Sequence, residues 1–126
     1  MNCCIVTPPT TPQLGSPTMA DVLWHTCHIK FREGTRESQI EEILQMYATL
    51  QNDCGGVEAG ILRFRVKSNL DPRKGVQLSQ IAVFTNETAL ANYRGHPAHN
   101  ALTEKLSKIA DWTTTDFYDN LNLGGI

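Results

Sequence analysis

The stretch Ala91–Leu102, ANYRGHPAHNAL, sets Tyr93, His96 and His99 in close succession around Pro97. A neutral imidazole, with an unperturbed pKa of about 6.5, is the natural side-chain base near pH 7. A phenol O–H beside it can orient that base or donate to an oxygen that is gaining charge. The pair therefore suits removal of a proton from carbon next to a carbonyl, as in an aldol ring closure. A positioned base contributes about 10²–10⁴-fold to such a step. Here His99 is the candidate base and Tyr93 its partner, acting without metal or organic cofactor.

Other readings of the same residues stand beside this one. His96 and His99 are three apart, a usable ligand spacing on a helix. However, no adjacent carboxylate pair or cysteine completes a metal set, and Pro97 separates them at a helix boundary. His96, next to Pro97, reads first as a helix cap or backbone partner. Tyr93 lies on an apolar helical face, where a core tyrosine would also sit.

The flanking patterns supply the elements that must hold these groups. VLWHTCHIKF (22–31) alternates as a strand, with His25, Cys27, Ile29 and Phe31 on one face and Trp24, Thr26, His28 and Lys30 on the other. Ile40, Ile43, Leu44, Tyr47 and Leu50 follow at helical intervals, with Thr35 or Ser38 as cap and Ser38/Glu41 at capping-box spacing. DCGG ends that helix. The pattern predicts a second strand over 56–66 and a turn at Asp71-Pro72 and Gly75. A third strand follows over 76–84, its alternation broken at Gln80 in the manner of a bulge. Asn86 caps the next helix, Gly95 interrupts it, and Pro97 starts it again. DWTTTDFYD (111–119) is the last strand.

The resulting order, β-α-β-β-α-β, is the ferredoxin-like α+β plan, with helices over one face of an antiparallel sheet. Trp24, Thr26 and His28 would lie on the other face, too apolar for open water. A second copy packed sheet against sheet would cover them.

Bulk properties bound the function. A chain of 126 residues with 40% hydrophobic and 19% charged residues fits one domain. A net charge of -2 and a pI near 6.0 argue against a nucleic-acid partner. Arg63, Arg65, Lys67, Arg73 and Lys74 form a local basic patch that reads as a solvated face. No apolar run approaches a membrane span. The four cysteines, Cys3, Cys4, Cys27 and Cys54, show neither CxxC nor zinc spacing, which suggests reduced thiols in a cytoplasmic protein. Residues 1–20, rich in Thr and Pro, read as a flexible extension, with Met19 as an alternative start. The domain spans 21–120, and 121–126 form a tail.

Residues 20 to about 119 resemble the stress-responsive dimeric α/β-barrel family. The resemblance rests on His25 in the first strand, Asn69 in the central connection, ALANYRGHPAH, and Asp116-Phe117. Tyr-x-x-His-Pro-x-His is its specific element. The resemblance implies two protomers closing a central barrel. Within the family it extends to polyketide cyclases of the olivetolic acid type, whose Tyr–His pair matches Tyr93 and His99. It further implies that His25, Tyr47 and Asp116 line or support the pocket, with His96 beside them. Where those cyclases carry a pocket tryptophan, Ile109 stands here, and Trp112 follows three residues on. If Asp116 reached a ring N–H of His99, it would set the tautomer and steady the imidazolium. Asp116 could equally just terminate a strand.

Three functions remain open at this point. One is a cofactor-independent cyclase acting on a poly-β-keto chain, with a polyketide synthase as candidate donor. Another is a non-catalytic dimeric stress or binding protein. The third is a cofactor-free monooxygenase.

Overall fold

The computed structural model describes residues 21–121. The expected extension (1–20) and nearly all of the expected tail lie outside the described residues. Strand β1 (Asp21–Phe31) is followed by helix α1 (Glu37–Asp53), strands β2 (Ile61–Ser68) and β3 (Leu78–Phe84), helices α2 (Glu87–Gly95) and α3 (Pro97–Ser107), and strand β4 (Ala110–Asn120). The strands form one antiparallel sheet in the order β2-β3-β1-β4. This is the ferredoxin-like βαββαβ fold, with its second helix divided in two at His96.

The helices cover one face of the sheet. Ile43, Tyr47 and Leu50 of α1, Leu90 and Tyr93 of α2, and Leu102 and Leu106 of α3 pack on Leu23, Ile29, Phe64, Leu78, Ala82 and Phe84. Each fully buried Leu, Ile or Phe is worth about 1.5–3 kcal/mol, so this layer dominates the stability of the protomer. The helix starts are locally determined as well. Asn86 Oδ1 accepts from the Ala89 N–H at 2.9 Å, and Pro97 occupies the first turn of α3, where a missing N–H does no harm.

Three expectations need correction. Residues Gly56–Ala59 form a short 3-10 turn, and β2 begins only at Ile61. Gly60 separates the two at φ +89, and a Cβ there would approach Ala89 Cβ to 2.7 Å, so only glycine fits. Helix α1 is capped at Arg36, whose N–H donates to Gln39 Oε1 at 2.9 Å, and not by Ser38. Thr35 instead bonds the carbonyls of Arg32 and Ile109, tying the end of β1 to the start of β4. No bulge occurs at Gln80. The register shift lies in β2 between Ile61 and Arg63, while Gln80 keeps the inward alternation of Leu78 and Ala82.

The second face of the sheet has no cover within one copy. Trp24 stacks on Phe117 with planes 5° apart. Ile81 is 41% and Phe117 47% exposed. Arg63, Arg65 and Lys67 flank this area on the edge strand β2, all exposed.

Candidate functional site

Antiparallel pairing sets the floor of the site in rows. One row crosses Phe64, Ala82, His25 and Asp116, and the next crosses Val66, Gln80, Cys27 and Thr114. All these side chains point towards the helices, because positions two apart on a strand share a face. Above them stand Tyr47 of α1, Tyr93 and Arg94 of α2, and His99, Leu102, Thr103 and Leu106 of α3. The space between is a cavity of about 530 Å³, with Trp112 in its wall. A wider hollow of about 710 Å³ lies between α2 and β4, beyond Arg94 and Asp116. It gathers no imidazole, whereas His25 and His99 both line the smaller cavity.

His25 and Asp116 face each other directly across the β1–β4 ladder. Their Nδ1 and Oδ1 atoms are 2.6 Å apart. The other carboxylate oxygen accepts from Arg94 Nη2 at 3.0 Å. Asp116 is thus bracketed by an imidazole and a guanidinium, and its bond goes to His25, not to His99. The reason is register: β4 delivers the carboxylate to its cross-strand neighbour, whereas His99 projects from α3. With Nδ1–H directed at the carboxylate, a neutral His25 carries its lone pair on Nε2.

Tyr93 is 3% exposed and sits between the two imidazoles. Its ring centroid is 4.6 Å from that of His99 and 6.3 Å from that of His25. Gln80, equally buried, donates from Nε2 to Tyr93 Oη at 3.1 Å. Burial pushes the Tyr93 phenol well above its ordinary range, the Gln80 bond opposing it, so the hydroxyl keeps its proton.

His99 Nδ1 is buried without a hydrogen-bond partner. Burial also lowers the pKa of this histidine, opposed by hydrogen bonding to the Asn100 side chain and the Arg94 backbone, with nearby His25 and Arg94 adding to the lowering. At pH 7 this holds His99 in its neutral form. Tyr47 lines the wall, its phenol likewise raised by burial. Cys27 is raised to about 11 for the same reason, which makes it an inert thiol.

His96 stands apart from the cavity. Its Nδ1 accepts from the Ala98 N–H at 3.0 Å, so it caps α3. Asn69 likewise serves a turn, donating to the carbonyls of Asp71 and Val76. Among the described residues, no group of three or more His, Cys, Asp or Glu side chains converges as a metal set would. Ile109 packs against the core, and Trp112 is the tryptophan that reaches the cavity. The sequence reading missed Gln80 and Arg94. For Gln80 there was a signal, an amide on the buried face of an otherwise apolar strand. For Arg94 there was none, since one exposed arginine on a helix looks like any other.

Comparison with known proteins adds a family and a set of similar folds. The family described as the Stress responsive A/B Barrel Domain matches residues 23–119. A dimeric ferredoxin-like protein from Thermobifida fusca is 14% identical, with TM-score 0.68 over 82% of this chain and 95% of its own. Hydroxynitrile lyase from Passiflora edulis is 14% identical, with TM-score 0.68 over 82% and 98%. SnoaB, a cofactor-independent oxygenase from Streptomyces nogalater, is 16% identical, with TM-score 0.65 over 83% and 99%. A search of curated proteins gives no match. At these identities the solved structures establish likeness of fold alone.

Proposed function

Because the chain belongs to the stress-responsive A/B barrel domain family, we propose that its helix-covered cavity is an active site for cofactor-independent aldol-type cyclisation of a poly-β-keto chain. The observation that supports this most directly is a neutral, partly buried His99 packed edge-on against a protonated Tyr93 in a hollow of about 530 Å³. His99 takes the proton from a methylene flanked by two carbonyls. The electron pair of that C–H bond forms the new C–C bond, and the attacked carbonyl oxygen becomes an alkoxide. Tyr93 donates to this oxygen, and the His99 imidazolium returns a proton through it. Atoms and charge balance without oxidant or metal. His25, held by Asp116, accepts a hydrogen bond at Nε2 from an enol O–H of the chain, while Tyr47 and Trp112 shape the wall.

The uncovered sheet face supports assembly as a homodimer. Exposed Ile81 and Phe117 beside Trp24 form a patch that a second copy would bury. Any synthase that delivers the chain would then meet the outside of the dimer.

The test is turnover of a synthetic poly-β-keto thioester. His99→Ala should lower kcat by about 10²–10⁴-fold while the oligomeric state is unchanged. Undiminished turnover in that variant removes the mechanism. Oxygen uptake coupled to turnover would instead make the protein a cofactor-free monooxygenase. Binding of such chains without turnover by the wild type would make it a binding protein.

A further inference from the structure

Gln80 is out of character with its strand. Leu78, Ala82 and Phe84 share its inward face and are all fully apolar. An amide buried there costs stability unless it is hydrogen-bonded. The bond it makes is to one atom, Tyr93 Oη, and it makes it as donor. That direction matters. A hydroxyl that accepts from an amide has its own proton left to give. Among the described residues, no group accepts that proton, and the hydroxyl borders the cavity that Tyr93 and Gln80 both line. A hydrogen bond accepted by an O–H group strengthens the bond it donates in turn.

We infer that Gln80 is a positioning residue that commits Tyr93 to donating its proton, making the Gln80–Tyr93 pair a neutral two-step relay that recognises an enolate or phenolate oxygen in the cavity. The inference rests on the proposed reading of the cavity as a small-molecule site. It goes further in naming the ligand group, an oxyanion conjugated to carbonyl or ring, and in assigning its recognition to a residue outside the Tyr–His motif. The charges nearby fit a neutral donor. Asp116 and Arg94 offset each other, so the cavity does not attract anions by net charge, and discrimination falls to a directed O–H.

The experiment is spectrophotometric titration of the intact protein with 4-nitrophenol, whose anion absorbs in the visible, across the pH range in which the free phenol ionises. Wild type should bind the anion better than the neutral phenol. Gln80→Met, similar in length and without the donor, should weaken anion binding about five- to tenfold and neutral binding less than about twofold. In a Tyr93→Phe background the same change should have no effect, because the relay has lost its second member. Gln80→Glu, whose carboxylate would take the Tyr93 proton, should weaken the anion at least as much as Gln80→Met. Equal weakening of both forms of the probe, or an undiminished Gln80→Met effect with Phe at position 93, overturns the relay while leaving the cavity reading intact. Wild type that binds neither form overturns the cavity reading itself.

Discussion

Neighbouring residues of β1 live in different surroundings. Leu23, His25, Cys27 and Ile29 face the helices and none is more than 4% exposed. Trp24, Thr26 and His28 face outwards, the first two half-buried and the third exposed. Both sets mix apolar and polar groups, yet they do different work. On the inner face the two buried polar residues are each held by a specific partner: His25 by Asp116, and Gln80 by Tyr93. On the outer face Thr26 meets Thr115 and His28 meets Ser79 within reach of water, where such bonds contribute little. What the outer face offers is apolar area. The same alternation that floors a cavity with paired polar groups on one side leaves an exposed apolar surface on the other.

That contrast can be broken by paired substitutions. Ile29→Ala, at a position with no exposure, should lower protomer stability by about 2–5 kcal/mol, read as a shift in the denaturant midpoint. Ile81→Asp, on the outer face, should leave the protomer within about 0.5 kcal/mol but convert a dimer to monomers in sedimentation. If Ile81→Asp unfolds the protomer, or leaves the dimer unaltered, the division of labour between the faces is wrong.

A smaller effect reports on the dryness of the inner face. With the Cys27 thiol raised to about 11, alkylation near pH 8 should be about 100-fold slower than for a free cysteine, in proportion to thiolate content. Peptide mapping after iodoacetamide treatment would show it, and rapid labelling of Cys27 would mean that water reaches the cavity floor.

The smallest expected effect is a pH dependence of stability. His99 has a folded pKa below its unfolded value. Between the two values the unfolded chain binds more protons, so stability rises with pH there. Its contribution is fully present above about pH 6.5, the unfolded value, and is lost as pH falls towards the folded pKa. His99→Gln should flatten this slope in melts taken from neutral to mildly acid pH. An unchanged slope would assign it to other groups.

Most of the architecture was legible because short-range rules govern it. Alternation gave β1, the helical stripe from Ile40 to Leu50 gave α1, and Asn86, Gly95 and Pro97 marked the two helices near the site. The misreadings came where a distant partner intervened. Ser38 looked like a cap, but Thr35 is held by the carbonyl of Ile109, just before β4, and the helix is capped one residue later at Arg36. Gln80 looked like a break in β3, but its amide is matched by a hydroxyl thirteen residues away on α2. His96 was legible as a cap because that role is local.

By itself, the sequence determined the order of the elements, which faces are apolar, and that a tyrosine and histidines gather near one helix boundary. These follow from periodicity and from backbone rules that act within a few residues. Only the tertiary structure decided that Asp116 bonds His25 rather than His99, that Arg94 braces the same carboxylate, and that Gln80 rather than an apolar side chain meets the Tyr93 hydroxyl. Hydrogen bonds reach only about 3 Å, so their pairing depends on strand register and helix placement, which no local pattern encodes.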